Sequence, residues 1–293
     1  MNIPRAEVIK VFETKWSSSA PNHALVQESL AKAFDKFVAE QLADKHFIQE
    51  LVNGTDASFA QRLGEIQLAM RMTQAGFSLS SGSKGPDLLA TKDGQRIWLE
   101  LITPEPKGIP AEWVNPKNGV FSFPHEKILL RWTAAIREKA TKGQRYLEQG
   151  VIGAGEPYVI VVNDTLLNAR PGFLHGISQK PFAVEATLAV GPLQMHIDRT
   201  TLEAVSTDHQ HRPHITNHNK AQVPADTFFD PAYKHVSAVM GVTFAISDIC
   251  RDAWVNHLVH NPRAVVPLAH GCMPAEEEWA CTESATQYSV YQV

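Results

Sequence analysis

Apolar positions change period several times along the first half of the chain. Over Ser58–Gly76, Phe59, Leu63, Ile66, Met70 and Thr73 recur at helical spacing and predict an amphipathic helix. Ser58 with Gln61 reads as its capping box and Gly76 as its stop. From Leu88 the pattern is extended: Leu88–Lys92, then Asp93-Gly94, then Gln95–Ile102. Asp-Gly between two such runs predicts a two-residue hairpin, because both turn residues need φ > 0. Helical spacing returns from Pro124 to Gln149, with Leu129, Trp132, Ile136 and Lys139 on one stripe. After a Gly153-Ala154-Gly155 turn, Tyr158–Asn163 is the unbroken β-branched run expected of a fully buried strand. Helix, hairpin, helix and buried strand together predict an α/β fold, a mixed sheet with helices on both faces.

The flanks are less regular. Residues 1–55 read as a mostly helical segment, with Leu25, Leu30, Phe34, Phe37 and Val38 on one amphipathic helix and Asn53-Gly54 at the end. This segment either lies over the core or mediates self-association, which leaves room for a homodimer. In residues 166–293, Ala183–His196 and Val236–Ile246 are strand-like, and Leu258–Pro262 suggests a late strand before an exposed Val265–Leu268 loop. Thr207–His218 reads as a flexible polar loop carrying His209, His211, His214 and His218. No linker separates this half, so it is expected to elaborate the same sheet.

Composition narrows the setting. The 293 residues are 44% apolar and 20% charged with a net charge of −4, values of a soluble globular protein rather than a dedicated non-specific nucleic-acid binder. Three cysteines point to a reducing, cytoplasmic compartment rather than a disulfide framework. The first residues, Met-Asn-Ile-Pro-Arg-Ala-Glu, lack the apolar stretch of a signal peptide, and no apolar run is long enough to span a membrane.

The hairpin carries the chemistry. With Asp93 and Gly94 as the turn, Lys92 pairs with Gln95 and, in the same register, Asp87 pairs with Glu100. Opposed residues have Cβ atoms about 4.5–5.5 Å apart. Two carboxylates so close repel unless a proton or cation lies between them, and a divalent metal is the natural partner. Glu65 stands beside the preceding helix's buried stripe, in line with Leu68, Ala69 and Met72.

Taken in order, a helix with Glu65, then Pro86-Asp87, then a hairpin return to Glu100, resembles the PD-(D/E)XK nuclease superfamily. The resemblance runs from about Phe59 to Asn163. It implies a restriction-endonuclease-like αβββαβ core over residues 56–165, with N-terminal helices before it and a C-terminal extension after it. It also implies Mg²⁺ (or Mn²⁺) held by Asp87 and Glu100, with Glu65 an auxiliary ligand through water. The implied activity is metal-dependent hydrolysis of DNA, in restriction, defence or repair.

The chain departs from that pattern where Ile102 stands in place of the motif Lys. Lys139, on the apolar stripe of the following helix, is the expected replacement, with Lys142 and then Lys107 as runners-up; Gln144 and Tyr146 resemble the residues that support such a site. Between Lys107 and Arg145 there are eight Lys/Arg, Lys117 among them, against three Glu, a local basic surface that suits a polyanion. One rival is a catalytically inactive member kept for binding or assembly, for which Ile102 is the best evidence. Another is a glycosidase using Asp87 and Glu100 as an acid/base pair. The histidine-rich stretch fits no closed zinc site, and His257, His260, His270 and Cys272 read as packed or surface groups rather than a zinc site. No P-loop pattern is present.

Overall fold

The computed structural model describes residues 4–82, 84–116, 119–168, 175–252, 254–283 and 288–293; Lys117 of the basic segment lies outside them. Four helices open the chain, α1 (Arg5–Lys15), α2 (His23–Ala39), α3 (Lys45–Asn53) and α4 (Asp56–Gln74). They lead into β1 (Ser78–Ser80), β2 (Leu88–Lys92) and β3 (Gln95–Ile102). A short α5 (Ala111–Val114) and the long α6 (His125–Glu148) precede β4 (Tyr158–Asn163). The second half contributes α7 (Phe182–Thr187), β5 (Val190–Ile197), β6 (Ala204–His211), β7 (His214–Thr216) and β8 (Gln222–Pro224). It closes with β9 (Ala238–Val242), β10 (Asn256–His260), β11 (Glu277–Glu283) and β12 (Tyr288–Gln292). Among the described residues no helix is long and apolar enough to cross a membrane.

The protein is mixed α/β. One eight-stranded sheet has the order β1-β2-β3-β4-β9-β10-β11-β12. Its centre, β3, β4 and β9, is parallel; β10 runs against β9, and β11 runs with β10. Strands from both halves of the chain therefore share one sheet. On one face, Leu99, Leu101, Val161 and Met240 pack with α1 to α4. On the other, Trp98, Ile160, Val162 and Val259 pack with α6 and α7. Every residue of β4 is buried, as its β-branched run predicts.

Several boundaries differ from the sequence reading. Thr55, not Ser58, caps α4, its hydroxyl accepting from the Ser58 backbone N–H at 3.1 Å. Helix α4 is buried nearly all round, because it lies between the sheet and the other N-terminal helices, so Glu65, Gln67 and Arg71 are enclosed with the apolar stripe. Leu25 and Val38 are exposed, while Val26 joins Leu30, Phe34 and Phe37 in the core. Ala183–His196 divides into α7 and β5; all six residues of α7 are buried, so no polar face marks it as helical. Val236–Ile246 contributes only the five residues of β9, after which Ile246–Cys250 forms a 3₁₀ turn. Thr207–His218 is not a loop. Its first residues belong to β6 and pair with β5, in a ribbon whose exposed outer faces need no apolar alternation.

Candidate active site

The hairpin folds as its turn chemistry requires. Asp93 and Gly94 have φ of 50° and 79°, and Lys92 faces Gln95. Paired residues run up to Leu88 opposite Leu99, so the next step of the register sets Asp87 against Glu100. Regular pairing stops there. Asp87 precedes β2, and its Oδ2 accepts the Leu101 backbone N–H at 2.7 Å, a donor that a longer β2 would have satisfied with a carbonyl.

Glu100 lies near the C-terminal end of β3 on the α6 face and is fully buried. Its Oε1 accepts from Lys139 Nζ at 2.8 Å and from Lys142 Nζ at 2.6 Å. Its Oε2 is buried with no hydrogen-bond partner. An orphaned carboxylate oxygen costs several kcal/mol-scale desolvation unless something positive or protic meets it. The two lysines come from one turn of α6, so the helical i, i+3 relation delivers both to the same oxygen. Burial opposes the Lys142 ammonium, but the Glu100 charge outweighs it and holds the pKa above its ordinary value. Tyr146, one turn on, sets its ring 5.6 Å from the Lys142 ammonium, centroid to nitrogen.

Glu65 enters from α4 and is only 5% exposed, so it is not a solvated residue at a helix edge. It accepts from Gln61 Nε2 at 3.0 Å and Arg62 Nη1 at 2.7 Å. Gln61 also donates to the Leu101 carbonyl at 3.1 Å and accepts from the Thr103 N–H at 2.7 Å, tying α4 to the end of β3. Burial raises the Glu65 carboxyl, and Arg62 only partly offsets this. The Asp87 carboxyl is raised well above its usual range by burial, then by the charges of Glu65 and Glu100, with Lys139 and Lys142 opposing. Asp87 thus feels acids from α4 and β3 and cations from α6.

The structure gathers Glu65, Asp87, Glu100 and Lys139 around the end of the hairpin. Gln144 is placed elsewhere; it is exposed and donates to Glu148 at 3.0 Å. Helical spacing explains this, since Lys139, Lys142 and Tyr146 share a face and Gln144 does not. Lys107 pairs with Glu105 at 3.3 Å rather than with Glu100. Gln61, Arg62 and the joint action of both lysines escaped the sequence reading. The signal for the first two was their i−4 and i−3 spacing from Glu65. The three acids do not close into a compact ligand set. Among the described residues, only His175, His257 and Glu277 bring three such groups within 4.8 Å of one another. A metal shared by Glu65, Asp87 and Glu100 as they stand would reach at least one through water.

Comparison of the chain with family models, with curated proteins and with solved structures gives no match. The reading of this site rests on its own residues.

Proposed function

We propose that this protein is a metal-dependent phosphodiesterase acting on DNA, built on a restriction-endonuclease-like core. The observation that carries the reading is the Glu100 carboxylate: one oxygen holds two lysines, the other has no partner, and Asp87 lies next in register. The order α4, β1, β2, β3, α6, β4, interrupted only by the four-residue α5 before α6, supports it, following the αβββαβ succession of that core. The donor set fits Mg²⁺ or Mn²⁺, which take carboxylate oxygens and water. Asp87 and Glu100 would hold the ion, with Glu65 linked through water. The ion would polarise the scissile phosphate and lower the pKa of the attacking water.

The chain's own groups do the rest. Lys139 and Lys142 supply the positive charge that Ile102 cannot, beside the carboxylate that would anchor the phosphate's counter-ion. Tyr146 steadies Lys142, and Gln61 and Arg62 steady Glu65. Lys107, Lys127, Arg131 and Arg137, against Glu126 and Asp230, line a cavity of about 1110 Å³ along α6, and this excess of cations would suit backbone phosphates. The inactive-member reading draws on the same lysines, because they already neutralise one side of Glu100 without a metal.

The test is cleavage of plasmid and linear DNA with Mg²⁺ or Mn²⁺, comparing wild type with Asp87→Ala. Cleavage abolished by EDTA and lowered at least ~100-fold by Asp87→Ala is the expected result. No cleavage by wild type, or equal cleavage by both proteins, would refute the assignment. Metal-independent attack on glycosides would favour the acid/base alternative.

A further inference from the structure

His257 is the second residue of β10, and Glu277, the first of β11, is its direct partner in that parallel pair. Both side chains belong to the α6–α7 face of the sheet, as Val259 and Trp279 do two residues on. His257 is 2% exposed, yet neither ring nitrogen has a hydrogen-bond partner. Its neighbour in the same strand behaves differently: His260 is bonded to Glu278 at 2.5 Å. A packed, satisfied histidine describes His260 but not His257.

A second imidazole reaches the same place. His175 makes an isolated β-bridge with Pro181, and the turn between them is closed by Gly176 N–H to Lys180 O and by Ser178 N–H to buried Glu185. From that turn His175 Nε2 stands 3.7 Å from Glu277 Oε2, while His257 Nδ1 stands 3.2 Å from the same oxygen. The two rings meet edge to face, centroids 4.9 Å apart. Donors each about 2.0–2.2 Å from one tetrahedral ion are about 3.3–3.6 Å apart, so these spacings need little adjustment. Trp279 Nε1 donates to Glu277 Oε2 at 3.0 Å and orients it, the outer support that metal-binding carboxylates receive.

We propose that His175, His257 and Glu277 form a binding site for a late first-row divalent cation of the Zn²⁺ kind, which clamps the 175–181 turn to β10 and β11. Two imidazoles and one carboxylate select such an ion over Mg²⁺. Neither ring nitrogen of buried His257 is engaged by a hydrogen bond, so the ring has a nitrogen to offer an ion. The nearby cation is Lys180, whose ammonium lies 4.3 Å over the Trp279 ring; burial disfavours its charge and Glu277 only partly offsets this. The site is separate from the acid cluster. His257 pairs with Gly241, which lies under Trp132, and Gly241 pairs through Val162 to Ile102. Three strand intervals put it about 14–15 Å from β3.

The experiment uses the full chain, stripped with EDTA and titrated with Zn²⁺ in excess Mg²⁺, with bound zinc measured after gel filtration. Parallel melts record the Zn²⁺-dependent rise in Tm. Wild type and Asp87→Asn are expected to retain about one zinc per chain. His175→Ala and Glu277→Gln are expected to weaken binding at least ~10-fold and to lose the Tm rise. Glu277→Gln preserves shape, so it reads the site even where His257→Ala fails to fold. His211→Ala, on the histidine-rich β6, should bind like wild type. Absence of zinc uptake by wild type, unchanged binding by both site variants, or loss in Asp87→Asn or His211→Ala instead, would overturn the proposal. None of these outcomes depends on nuclease activity.

Discussion

Glu100 faces opposite demands on its two oxygens. Lys139 and Lys142 both donate to Oε1, so neither alone carries the replacement for the missing motif lysine. If catalysis uses this charge, Lys139→Ala and Lys142→Ala should each lower turnover on DNA, by the ~10²-fold typical of a removed charge-stabilising donor. Lys139→Ala should also cost more stability, since Lys139 is 8% exposed while Lys142 reaches further into solvent. Turnover and chemical denaturation measured on both variants check this. Equal activity to wild type in both would remove the lysines from the mechanism. A second buried acid offers a pH test outside the site. Asp164 is buried, accepts from Thr243 Oγ1 at 2.6 Å, and has its pKa raised to about 7 by burial. Unfolded, it would titrate near 4. Raised native pKa means the folded state holds the proton longer. Its contribution is therefore complete below about pH 4 and is lost as pH rises toward 7. Asp164→Asn should flatten the stability–pH curve in that window, as measured by denaturant midpoints.

Helix α6 delivers the cations, and its position depends on a residue with no side chain. Gly143 lies against Tyr158, where a Cβ would stand 2.3 Å from the ring. Tyr158 in turn donates its hydroxyl to the Lys139 carbonyl at 2.8 Å. Gly143→Ala should therefore push α6 off β4, costing about 1–3 kcal/mol in overpacking and shifting both lysines. Gly155→Ala, where an added Cβ meets nothing, is the control. Thermal melts and DNA cleavage by the pair check the prediction, and a neutral Gly143→Ala would show that the helix–strand spacing has slack. On the other face, α4 is held by packing rather than by an amphipathic face of its own. That explains why a carboxylate, an arginine and a glutamine sit enclosed in it.

The whole molecule brings charges together from elements far apart in sequence, and it holds them under strain of like sign. Burial raises the pKa of both Asp87 and Glu65, and the charges of Glu65 and Glu100 raise Asp87 further. Metal-free protein should thus lose stability as pH rises from about 4 through those raised values, and a bound divalent ion should restore it. Asp87→Asn should raise the Tm of EDTA-treated protein at neutral pH, about 2–4 °C for each kcal/mol relieved. Mg²⁺ should narrow that difference, because it stabilises wild type and not the variant. Calorimetry with and without Mg²⁺ tests it; a lower Tm for the metal-free variant would mean that Asp87 is structural, through its bond to the Leu101 N–H.

Local chemistry determined the hairpin, the buried β4, the span of α6 and the register that aims Asp87 at Glu100. These follow from turn residues, side-chain alternation and helical period, which act within a few residues. The sequence alone could also place Lys139 on the buried stripe of α6. Tertiary structure decided the rest. It set Lys142 on the same oxygen, turned Gln144 out to Glu148, enclosed Glu65 between layers, and made strands of the polar stretch around His209. It also brought His175 beside His257 and Glu277, 82 and 102 residues further along the chain. Such contacts depend on which layers meet and on which face, and neither period nor propensity encodes that when an element is buried all round or exposed all round.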